Sequence, residues 1–73
     1  MAVFDARPIL AAGGEPFEEI MATVAGLAPE EEFVLLAPFE PVPLEAVLAS
    51  HGYTYEAKPL ASDDWEVIFR PAP

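Results

Sequence analysis

Apolar residues recur along this chain with two periods, and each change of period marks an element. Phe17, Ile20, Met21, Val24 and Leu27 fall at i, i+3, i+4, i+7 and i+10, one face of an α-helix. Pro16 suits the first helical position, where its missing N–H would be unpaired anyway. Glu18 and Glu19 follow in the first turn, where carboxylates complement the positive end of the helix dipole. Gly26 is placed to help end the helix. Phe33–Ala37 is an unbroken apolar run of strand length, the pattern of a central strand. Pro43 starts a second helix with Leu44, Val47 and Leu48 on one face, and Gly52 is its natural C′ residue. Beyond it the period falls to two. Tyr53–Lys58 alternates, and so does Trp65–Arg70 apart from Ile68. The turn-like Ser62-Asp63-Asp64 between them makes a hairpin. At the other end, Val3–Ala6 is a short strand stopped by Arg7-Pro8 and followed by a loop with Gly13-Gly14.

The predicted order is β-α-β-α-β-β in a single domain, residues 1–73. Right-handed crossovers put both helices on one face of the sheet. The fold class is therefore α/β, a two-layer sandwich. The other face of the sheet is bare. Ile68 is expected there, with either Val34 and Leu36 or Phe33 and Leu35. A contiguous apolar patch on that face would mark a homodimer or a partner interface. Scattered apolar residues there would mark neither.

Composition narrows the chemistry. A chain of 73 residues buries only about 60% of the surface that its unfolded form exposes. Its apolar share of 53% is nevertheless that of a folded domain. No apolar run approaches the roughly 18–20 residues that span a bilayer. The start "MAVFDARP" has no basic segment followed by an apolar one, so a soluble cytoplasmic protein is expected. Cysteine is absent, which removes disulfides, thiolate nucleophiles, persulfide carriage and cysteine-ligated metal. The net charge is −10, and Arg7, Lys58 and Arg70 are the only cations. Nucleic acid and anionic membranes are therefore poor partners. A basic protein partner stays open, beside the simpler reading that the charge keeps the domain soluble.

The candidate site is the rim beyond the C-terminal ends of the parallel strands, where ligands gather in open α/β sheets. Asp5, Arg7, Glu15 and Glu40 are expected to cluster there, with Pro16 and Phe39 beside them. The alternative role for Arg7 is an ion pair that anchors two loops. Glu15, Glu18, Glu19 and Glu45 crowd the helix N-termini with negative charge, which disfavours an anionic ligand and favours a cationic group on a partner. Asp63 and Asp64 read as turn formers, and Glu30-Glu31-Glu32 as a solvated turn. Trp65 and Phe69 read as core at strand spacing. The one histidine, His51, ends the second helix at the opposite end, where it complements the dipole. No metal-ligand spacing, phosphate loop or nucleophile elbow occurs, so neither a metal nor a cofactor is expected, and catalysis by this chain is not.

The landmarks Asp5-x-Arg7-Pro8, Glu15-Pro16-Phe17, Glu40-Pro41-x-Pro43-Leu44, His51-Gly52-Tyr53 and Trp65-x-Val67 together resemble domain-of-unknown-function family 2249, of the TusA-like (SirA-like) group of small sulfur-carrier folds. The resemblance covers nearly the whole chain. It implies a four-stranded mixed sheet in order 1-2-4-3 with two helices on one face. It brings no established activity. TusA-like carriers hold a Cys-Pro-x-Pro motif at the start of their first helix. Here Gly13-Gly14-Glu15-Pro16 keeps the proline without the thiol. Relatives often carry an Asp-His-Asp-Pro-like loop before the second helix, and here that loop is Pro38-Phe39-Glu40-Pro41. The functional expectation is a small acidic non-enzymatic binding or adaptor module. The alternatives are a thiol-less accessory protein of a sulfur-transfer or redox system and a small-ligand or metal sensor.

Overall fold

Alternating burial along the strands fixes which face of the sheet is covered. The computed structural model describes every residue, Met1–Pro73. Its elements are β1 (Ala2–Asp5), α1 (Arg7–Ala11), α2 (Phe17–Ala25), β2 (Phe33–Ala37), α3 (Val42–Ser50), β3 (Tyr53–Pro59) and β4 (Trp65–Pro71). The sheet order is β1-β2-β4-β3. β1 and β2 are parallel, and β4 is antiparallel to both β2 and β3. This is the four-stranded mixed sheet in order 1-2-4-3 that the family resemblance implies.

Register places the core. Phe33 lies opposite Phe69 and Leu35 opposite Val67, so these four share one face. They are packed with Ile20 of α2 and with Leu44 and Leu48 of α3, which puts both long helices on that face. Phe33, Phe69, Val67 and Leu48 are 0% exposed. The rings of Phe33 and Phe69 stack with centroids 6.0 Å apart. Trp65 lies on the same face but is only partly buried.

The opposite face carries the row Val3–Val34–Ile68–Glu56 and, next to it, Asp5–Leu36–Glu66–Lys58. So Val34 and Leu36, not Phe33 and Leu35, accompany Ile68. Val34 is nonetheless buried and Leu36 and Ile68 are half-buried. Charged groups bracket the patch. At one end Arg70 reaches Glu32 at 2.6 Å and Glu56 at 3.7 Å, and at the other Arg7 joins Asp5 and Asp64.

The structure departs from the sequence pattern at three local points. Arg7-Pro8 does not simply stop a strand; it opens the one-turn helix α1, with Pro8 in the first turn, where its missing N–H costs no helical bond. That helix closes in a Schellman arrangement. Gly13 N–H donates to Leu10 C=O at 3.0 Å and Gly14 N–H to Ile9 C=O at 2.9 Å, with Gly13 at φ +82°. Second, Glu30-Glu31-Glu32 is not merely solvated. Glu31 accepts from Ala28 N–H at 3.0 Å, which holds its pKa below the ordinary carboxylate value, and Glu32 pairs with Arg70. Third, Phe17 does not join the core with Ile20; it is 50% exposed. Phe17 is the first residue of α2, and it is not among the partly buried residues packed against the core.

A candidate binding cleft at the helix N-termini

The prolines that start the two long helices also build a wall between them. α2 begins after Pro16, and α3 begins after Pro41 with Pro43 in its first turn. Proline fixes φ and offers no N–H, so these loops are stiff and their walls apolar. Between them, at the C-terminal edge of β1 and β2, opens a cleft of about 430 Å³. The buried residues Ala6, Leu35 and Ala37 line its depth. Ile20 lines it from α2, and Leu44 and Val47 from α3. Phe17 and Phe39, 50% and 51% exposed, also line it, so two aromatic rings stand half in water. Glu15 is the only titratable lining group.

Gly14 is what lets Glu15 and Pro16 reach this cleft. A Cβ at Gly14 would lie 3.0 Å from Ile9 Cγ2 and 3.2 Å from Ile9 O. The chain folds back tightly on α1 there, and only a bare backbone fits without displacement.

The six residues read as a rim cluster divide. Glu15, Pro16 and Phe39 line the cleft. Asp5 instead lies on the helix-free face, in line with Leu36 and Glu66. Its Oδ1 accepts from Arg7 Nε at 2.9 Å and from Arg7 N–H at 3.0 Å, and its Oδ2 accepts from Arg7 Nη2 at 2.8 Å. Those bonds favour the ionised carboxylate and hold the Asp5 pKa down at about 2. Arg7 Nη1 donates to Asp64 Oδ2 at 2.8 Å. Arg7 thus ties the end of β1 to the β3–β4 hairpin, and none of its bonds goes to Glu15 or Glu40. Asp63 is the turn former, at φ +64°, whereas Asp64 serves as an ion-pair partner. The sequence reading missed Asp64 because no local pattern signals a partner so distant along the chain.

Glu40, between cleft-lining Phe39 and Pro41, neighbours the most unusual group in the domain. Glu45 of α3 is 2% exposed, and its Oε2 has no hydrogen-bond partner. Burial pushes its pKa up to about 7, and the adjacent Glu40 carboxylate adds to the shift as an acceptor and by repulsion. The first turn of a helix favours a carboxylate by only about 0.3–1 kcal/mol. Burying an unpaired charge costs several times more, so burial wins. Glu45 therefore adds less negative charge to the rim than its place in the sequence suggests.

At the other end of α3, His51 Nδ1 lies 2.8 Å from Val47 C=O. A carbonyl only accepts, so Nδ1 carries the proton, and the ring caps the helix C-terminus. No group of three or more His, Asp or Glu side chains is arranged to hold a metal ion. No helix is long and apolar enough to cross a membrane.

Residues 3–71 match the model of the uncharacterised conserved protein family DUF2249. The chain belongs to that family. The match runs from β1 through β4, so it takes in both helix starts and the cleft between them. No curated protein and no solved structure matches the chain. The DUF2249 family carries no assigned activity.

Proposed function

We propose that this DUF2249 chain is a small non-enzymatic binding module that docks a protein partner in the cleft between α2 and α3. The observation that carries the reading is the pair of half-exposed rings, Phe17 and Phe39, lining one apolar cleft. A 73-residue domain has few large apolar side chains to spare. Aromatic residues beside a preformed apolar depression are the usual anchor of a protein interface. The stiff proline walls reduce the ordering that binding would otherwise require. A non-enzymatic role is supported by the lining itself, which has Glu15 as its sole titratable group and no hydroxyl, imidazole or amine to work with it.

The test is a comparative capture from native extract. Wild type is set against Phe17→Ser and Phe39→Ser, with melting curves for all three. Loss of a captured protein from both variants at unchanged stability supports the reading. An identical captured set overturns it.

A second reading rests on Glu15. It stands at the cleft, directly before the helix-starting proline, in the stretch Gly13-Gly14-Glu15-Pro16 that takes the place of the Cys-Pro-x-Pro motif of the TusA-like carriers that this chain resembles. In that reading the domain has a TusA-like fold and acts as an accessory of a sulfur-transfer or redox system, docking a thiol-bearing partner without carrying sulfur. A partner identified by capture that has a reactive thiol near its contact with the cleft would favour it over a general adaptor.

A further inference from the structure

We infer that the segment received by the cleft is both apolar and cationic: a bulky apolar side chain flanked by Lys or Arg on a second protein. The inference rests on the docking reading above and names the chemistry of the partner.

The apolar half follows from the lining. The cationic half follows from where the charges of the chain are engaged. All three of its side-chain cations are held in internal pairs. Arg7 is fixed on Asp5 and Asp64, Arg70 on Glu32 and Glu56, and Lys58 lies 3.8 Å from Glu56. The N-terminal amine faces Glu31. None of these pairs includes Glu15, Glu18, Glu19 or Glu40. Of those four, Glu15 lines the cleft, while the others are neighbours in sequence of residues that line it: Glu18 and Glu19 share the α2 turn that bears Phe17, and Glu40 separates Phe39 from Pro41. The nearest guanidinium in sequence, Arg7, is directed across the helix-free side of the sheet instead. The cleft is thus an apolar slot with one carboxylate in its lining and three more close by in sequence, none of them paired with a cation. A cation beside an apolar anchor satisfies both at once, whereas an acidic or phosphorylated segment would be repelled.

The same accounting speaks against a second copy of this chain as the occupant. Each copy carries a net charge of −10. Neither has a free cation to offer, so a self-complex would have to break an existing pair.

The experiment uses the intact chain, isotopically labelled, titrated with three synthetic peptides of equal length. Each has a central Leu-Phe; the flanks are Lys in one, Ser in the second and Glu in the third. The expected result is saturable binding of the Lys peptide, with amide shifts centred on Phe17, Ile20, Phe39 and Leu44. It should bind at least about tenfold tighter than the Ser peptide, and the advantage should fade in about 0.5 M salt. Glu15→Gln combined with Glu18→Gln should remove most of the preference for Lys over Ser flanks. Phe39→Ser should weaken both peptides. Equal affinity for the Lys and Ser peptides at the cleft would overturn the cationic inference while leaving the docking reading intact. Shifts from the Lys peptide that ignore Phe39→Ser, or no saturable binding of it, would also overturn the inference. The capture experiment then decides the docking reading separately.

Discussion

Arg7 Nη1 meets Asp64 Oδ2 at 2.8 Å and joins residues 57 apart in sequence. The same guanidinium forks onto Asp5 through Nε and Nη2. One side chain therefore fixes the exit of β1 against the entry to β4. Arg7→Ala should lower the melting temperature by several degrees. Arg7→Lys should recover only part, because an ammonium cannot hold two carboxylates in forked geometry. The deficit should shrink in high salt, since the groups are partly exposed and screened. The pair also has a pH signature. Asp5 is depressed to about 2, so its contribution is present above the unfolded carboxylate value near 4. It is lost as pH falls through that window. Asp5→Asn should flatten the acid limb there. An unchanged limb would mean that Asp5 adds nothing.

Glu45 predicts the opposite slope. Its folded pKa is raised from 4.5 to about 7, so the folded state binds the extra proton. Stability should be greatest, for this group, at or below about pH 4.5, decline as pH rises to about 7, and level off beyond. Glu45→Gln mimics the protonated form and can still donate to Glu40. It should stabilise the domain by up to about 3 kcal/mol near pH 8 and change little near pH 4. Urea unfolding at both pH values measures it; a Gln variant less stable at both would refute the assignment.

Exposed and buried apolar residues should separate cleanly. Phe39→Ser removes a ring already half in water and should cost no more than about 1 kcal/mol. Leu48→Ala empties a fully buried position and should cost about 2–5 kcal/mol, enough to unfold much of so small a domain. Comparable losses from the two variants would mean that the Phe39 ring is structural rather than free to receive a partner.

Gly13→Ala tests how the Glu15-Pro16 lip of the cleft is held. Gly13 sits at φ +82° with nothing near an added Cβ, so the cost is purely conformational, about 1–2 kcal/mol. Gly52→Ala, at φ +90° in open space at the end of α3, should cost a similar amount. Denaturation midpoints compare them, and a neutral Gly13→Ala would remove the Schellman closure from the account.

The elements with a long repeat were legible from the sequence. The face of α2, the apolar run of β2 and the alternation of the hairpin each pointed to their structures because burial repeats along them. α1 was not legible, since one turn is too short to show a period and Pro8 signals a stop as readily as a first turn. Phe17 kept the helical spacing of its neighbours, but spacing does not say whether the first residue of a helix reaches the core. Glu45 defied the rule that carboxylates stay in water. The cleft was foreseen only as an edge: strand direction located it, while its apolar walls came from three prolines and two rings that no motif joins.

The position of β4 has a consequence for how the chain becomes a protein. Of the four strands of this sheet β4 is made last, yet it lies between β2 and β3 and supplies Val67 and Phe69 to the centre of the core. A nascent chain that ends in the hairpin turn holds β2 and β3 with no strand to join them. Both present open backbone edges until β4 arrives. Folding of the sheet is thus coupled to the synthesis of Trp65–Pro71, and a ribosome paused before that segment carries β2 and β3 without the strand that joins them.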